Sequence, residues 1–166
     1  MKTLIRFSTL IAIGCAIAAF VLLMVSPAAY GVGALTNSVY TISGTEGIFG
    51  TENVGAPWAG LLAWIFVLVS MVALIALVVI EFLKVKIDER VIAVVSLLAC
   101  ALMVMGGVFA FLELSALEAA YGSNAWAAIV AASHPGLGAG WVIGAIVMIA
   151  GGAFAGLAPI VKLLKK

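Results

Sequence analysis

Outside its apolar runs, the side chains of this chain best suited to chemistry are four carboxylates and one imidazole: Glu46, Glu52, Glu113, Glu118 and His134. Carboxylates gathered by loops can hold a hard cation such as Ca²⁺. Here the spacing shows no calcium-loop pattern, and Glu113 and Glu118 fall on different faces of a helix, so the four read as a solvated acidic cap. His134 stands alone in Ser133-His134-Pro135-Gly136, where it could titrate near Glu113 or Glu118. A catalytic base needs a nucleophile and an orienting group, and no Ser or Cys motif accompanies this one. The sequence also lacks a phosphate-cradling glycine loop, an HExxH and a CxxC. Cys15 and Cys100 lie inside apolar runs without His or carboxylate partners, which suits packing better than metal binding. The chemistry-bearing residues thus point away from an enzyme and away from a metal or cofactor.

The elements that must position these residues are membrane spans. Of 166 residues, 66% are hydrophobic and 9% charged, against roughly a quarter charged in soluble domains. A hydrocarbon core ~30 Å thick takes about 20 apolar residues in a helix. Residues 5–25, 58–82, 91–112 and 139–161 each meet that length. The first run ends at Ser26-Pro27-Ala28, a sequence small enough for signal cleavage, but it is about twice the length of a signal h-region and reads as a retained span. What remains outside the spans is too short for a second domain, so residues 1–166 are one four-span membrane unit.

All eight basic residues lie at one end of these spans: Lys2, Arg6, Lys84, Lys86, Arg90, Lys162, Lys165 and Lys166. The loops at the other end, 26–57 and 115–135, hold no Lys or Arg. Basic residues mark the cytoplasmic side, which predicts a multi-pass plasma-membrane protein with both termini cytoplasmic and 84–90 as the inner loop. The aromatic side chains with a polar atom favour the outer side: Trp58, Trp64, Trp126 and Trp141 read as interfacial, together with Tyr30, Tyr40 and Tyr121. In the first outer loop, Ser38 to Ser43 reads as a strand, Gly44 to Gly47 as a turn and Ile48-Phe49 as a second short strand. The third helix is expected to run on past the bilayer through residues 113–120, with a further short helix capped at Ser123 or Asn124.

Gly136, Gly140, Gly144, Gly152 and Gly156 recur at multiples of four, interrupted only by Met148. One face of the last span is therefore nearly bare backbone. In lipid, helices associate through van der Waals contact, and such small-xxx-small seams let backbones approach. The partner on that seam is either another helix of the chain or a second subunit. At mid-depth the spans carry no charge and no Asn, Gln or His, whereas ion routes through lipid usually show ionisable residues.

Four spans, a longer strand-bearing first outer loop, a short inner turn, an extended third helix and a glycine-rich fourth resemble the claudin and peripheral-myelin-protein type of tetraspan. The chain is also similar to small uncharacterised four-span membrane proteins of Gram-positive bacteria, through Met24-Val25-Ser26-Pro27, Ser43-Gly44 and Ile48-Phe49-Gly50. The claudin signature of Trp, Gly-Leu-Trp and two outer cysteines is absent, since Trp58 stands alone and neither cysteine is in a loop. The resemblance implies an all-α four-transmembrane-helix bundle with a small strand-bearing outer cap; with the signature missing, paracellular sealing or pore formation is not carried over. The expected function is that of a structural or accessory subunit acting through helix packing or outer-face contacts. Its partners would be the lipid bilayer and either a second copy or another membrane protein, with no nucleic acid. The alternative is an oligomeric channel or transporter subunit for ions or small solutes.

Overall fold

The computed structural model describes residues 2–32, 39–52, 54–120 and 135–163. Four helices carry the architecture: α1 (Lys2–Val25), α3 (Trp58–Phe82), α4 (Glu89–Phe111) and α6 (Ala139–Leu163). All four are long and apolar enough to cross a membrane. Between them lie the short helix α2 (Gly44–Phe49), a helical segment α5 over 113–120, and three strands, β1 (Ala29–Val32), β2 (Val39–Ile42) and β3 (Gly136–Leu137). α1 and α6 both have their chain-terminal ends where α3 turns into α4, so one end of the bundle is the tail end. The other carries the sheet, α2 and α5, and is the cap end.

The helices stop where their sequence stops them. α1 makes its last bond from the Ser26 N–H to the Leu22 carbonyl (3.0 Å) before Pro27. Pro57 is the N-cap of α3, where its missing N–H costs no helical bond. At the tail end Lys84 takes a left-handed backbone (φ 53°) that turns the chain, and Asp88 restarts the helix by accepting from the Arg90 N–H at 2.9 Å.

α6 sits between α1 and α4, and α3 completes the bundle against α4 and, more lightly, α1. Its core consists of small residues at helical spacing: Ala12, Ala16 and Ala19 on α1, Ala63 on α3, Ala99, Gly106, Gly107 and Ala110 on α4. Met103, Met148, Val67 and Leu74 fill the remaining space. The Ser70 hydroxyl donates to the Phe66 carbonyl (2.7 Å) and also reaches the Ala99 carbonyl of α4 (3.3 Å). The outward faces are apolar too: Ile17, Val21, Val72, Val94, Leu98 and Ile146 are exposed. A bundle hydrophobic inside and out has the surface that suits lipid rather than water.

At the cap end the structure departs from the expected strand, turn and strand. The strand is present as β2, but its partner is β1, in the register Ala29↔Ile42 to Val32↔Val39, with β3 on the far edge of β1. The expected turn and second strand at 44–49 are instead the helix α2. A capping box decides this. The Ser43 hydroxyl accepts from the Glu46 N–H (3.2 Å), and the Ser43 N–H donates to the Glu46 carboxylate (2.9 Å). The third span does not run on unbroken either: the helix turns at Leu112 before resuming as α5.

Candidate functional site: a buried carboxyl beneath the cap

The expected acidic cluster does not assemble. Glu46 is occupied by its capping box, Glu52 is exposed in the turn closed by the Thr51–Val54 bridge, and Glu118 is exposed on α5. Glu113, by contrast, is fully buried, which corrects its reading as part of a solvated cap. Among the described residues no group of three His, Cys, Asp or Glu side chains could hold a metal. With Glu113 inside and Glu118 outside, the two do not share a pocket. His134 and Trp126 fall outside the described residues.

Glu113 is the first residue of α5, just past the turn at Leu112, and three elements close around it. Gly60, in the first turn of α3, lies so near that a methyl group placed on it would stand 2.7 Å from the Glu113 Oε2 and would also strike the Gly47 carbonyl. A methyl on Gly47, in α2, would be 3.4 Å from Oε1, 3.3 Å from the Trp141 ring of α6 and 2.5 Å from the Ala28 Cβ. These two glycines let α2 press down on α3 and the carboxyl fill the space between. Gly44 seats the start of α2 against the last carbonyls of α1, with Ser26 O at 2.6 Å and Met24 O at 2.8 Å from where its Cβ would be.

Neither Glu113 oxygen has a hydrogen-bond partner among the described residues. The Gly60 backbone N–H points toward the carboxyl and favours its charged form, but it does not meet hydrogen-bond geometry. Burial outweighs it and pushes the Glu113 pKa up from 4.5 to about 8. The group is therefore a neutral acid over most of the physiological range. The Trp141 and Trp64 indole N–H groups are buried and have no partner among the described residues either. Trp64 packs tilted on Phe20 (5.8 Å) and edge-on to Phe49 of α2 (5.2 Å).

The tryptophans read as interfacial divide accordingly. Trp58 is exposed and edge-on to Phe109 at 5.8 Å, whereas Trp141 has no exposed surface, because the first turn of α6 enters the bundle directly under the cap. The glycine face also divides. Gly136 is not helical but belongs to β3, where a Cβ would meet the Tyr30 ring at 2.8 Å. Gly140 packs on Ser26 and Gly144 on Leu22 and Leu23 of α1, while Gly152 meets Val104 and Cys100 and Gly156 meets Cys100 of α4. Both cysteines are free and face α6, Cys15 at Gly151 and Cys100 at Gly156.

The sequence reading did not single out Gly47 and Gly60, the two positions that bury Glu113. The available sign was a glycine one helical turn before Trp64 at the start of a span. Chemically, the site offers an isolated carboxylic acid with no base, nucleophile or charge partner among the described residues, so its one reaction is to release or take up a proton. Compared with known proteins, the chain matches no family model, no curated protein and no solved structure.

Proposed function

We propose that this chain is a non-enzymatic plasma-membrane protein with both termini cytoplasmic, acting as a structural or accessory subunit through contacts at its outward-facing cap. The basic residues at the tail end support that orientation. The observation that carries the reading is how the bundle interior is filled. Below the cap, the only buried polar side chains among the described residues are Ser8, Ser70 and Ser96, and the space between the spans is taken by Ala, Gly, Met, Leu and Val. That interior offers no polar path for an ion or solute. The glycine face, the other candidate for a subunit contact, is covered within the chain by α1 and α4. With that seam covered, the cap and the outward faces of the spans are the surfaces open to a partner, and the proposed contact is at the cap.

Crosslinking in native membranes tests this. Photo-reactive groups placed at exposed cap positions such as Thr45 and Glu118 should capture a partner, and groups placed on lipid-facing Val72 or Val94 should not. Capture only from the span faces, or ion leak from liposomes carrying the protein, would overturn it.

A further inference from the structure

Glu113 has a structural setting that membrane anchoring does not require. A carboxyl with no exposed surface and no partner sits where α2, α3 and α6 meet, and the residues around it are pared to glycine so that it fits. A methyl added to Gly60 would collide with it, and among the described residues no His, Cys, Asp or Glu group stands with it to hold a metal ion. What the carboxyl exchanges by itself is a proton. We propose that Glu113 is a proton-binding site of the cap: as the neutral acid it lets α2 seat on the bundle through Gly47, and loss of the proton lifts α2 away.

Apart from the Gly60 N–H in the first turn of α3, the described groups facing Glu113 offer its charged form nothing. α2 presents Gly47, α3 presents Gly60, and α6 presents the Trp141 ring at the same point; none is charged. The charged side chains on these elements are Glu46, engaged with Ser43 at the top of α2, and Glu81 and Lys162 at the tail ends of α3 and α6. On α4 they are Glu89 and Arg90, also at the tail end, and on α5 only the exposed Glu118. A carboxylate buried without a cation is costly and must reach water. When the O–H bond breaks, the electron pair stays on the carboxylate oxygen and the proton passes to water at the cap. Two of the surrounding walls, α3 and α6, are long helices, whereas α2 has six residues, too few to hold a helix without its tertiary contacts. It is the element that yields. The raised pKa places the transition near neutrality.

The test uses the full chain in nanodiscs. Infrared difference spectra between about pH 6 and about pH 9 should show a protonated carboxyl band that disappears with a midpoint near 8 and is missing in Glu113→Gln. Over the same range, hydrogen exchange of amides 44–49, normalised to an unstructured reference peptide, should accelerate at least about tenfold in the native protein. It should stay flat in Glu113→Gln and keep its midpoint in His134→Ala. An ionised Glu113 at neutral pH overturns the proposal. So does exchange that is unchanged in the native protein, still accelerates in Glu113→Gln, or loses its transition in His134→Ala. Should Glu113→Gln fail to fold, the infrared and exchange midpoints of the native protein must still coincide, and separate midpoints refute the coupling.

Discussion

Replacing Glu113 with Gln should change how the stability of the whole bundle depends on pH. Below about pH 4.5 the carboxyl is protonated whether the protein is folded or unfolded, and it contributes no pH dependence. Between 4.5 and about 8 the unfolded chain has lost this proton while the folded chain still holds it. The folded state then binds more protons, so stability falls as pH rises. The slope is about 1.4 kcal/mol per pH unit. Over the interval the loss approaches about 5 kcal/mol, a ceiling because an unfolded chain in a micelle keeps part of its burial. Above about 8 both states are ionised and the dependence levels off. Glutamine has the shape of the neutral acid and cannot ionise, so Glu113→Gln should match the native protein near pH 5 and exceed it by several kcal/mol near pH 9. Reversible unfolding by SDS in mixed micelles, followed by tryptophan emission across that range, measures the difference. If native stability rose with pH, or if both proteins showed the same profile, the burial argument for Glu113 would be wrong.

Steric predictions test the glycines. Gly60→Ala should cost about 1–3 kcal/mol, as overpacking does, since its Cβ would meet Oε2 at 2.7 Å; adding Glu113→Ala should restore only part, because the Gly47 carbonyl still blocks it. On α6, Gly152→Ala should lower the melting temperature, with Val104 at 2.9 Å and the Cys100 carbonyl at 3.0 Å. Gly144→Ala, whose nearest neighbour is 3.6 Å away, should leave it unchanged or raise it slightly. Ser43→Ala removes the cap of α2 and should cost about 1 kcal/mol. That loss should appear as faster hydrogen exchange over residues 44–49, with the spans unaffected.

The spans were legible because length and hydropathy alone set them, and because Pro27, Pro57 and the Lys84 to Arg90 link punctuate them. The cap was less so. β1 is Ala29-Tyr30-Gly31-Val32, whose small residues give little strand signal; it forms because Ala29 and Gly31 are buried against the bundle and its backbone is paired on both edges. For α2 the signal was present in Ser43-Gly44-Thr45-Glu46, but the β-branched run before it dominated the local pattern. The burial of Glu113 was not legible. A glutamate just past the end of a span reads as a solvated cap residue, and only the folding of α2 back over Gly60 takes it out of water. Trp141 was misread for the same reason: a tryptophan at a span end normally keeps its indole N–H wet, and here the cap covers it.

The bundle itself gives no reason for a carboxyl at position 113. Apart from the buried Trp64 and Trp141 indole N–H groups, the described polar side chains inside it agree with its packing, as where Ser70 satisfies its hydroxyl on neighbouring carbonyls. At 113 side chain and packing conflict, since a buried acid without a partner lowers stability and an apolar side chain of similar volume would not. Sites where a fold departs from its own rules are where function is expected. Glu113→Met makes the distinction. It should fold, remain at least as stable as the native protein near pH 7, and lose the pH response of α2. Were the methionine variant instead to unfold, the carboxyl would be a packing requirement of the cap, held by contacts that its neutral form alone makes, and no proton-dependent role would be needed to explain it.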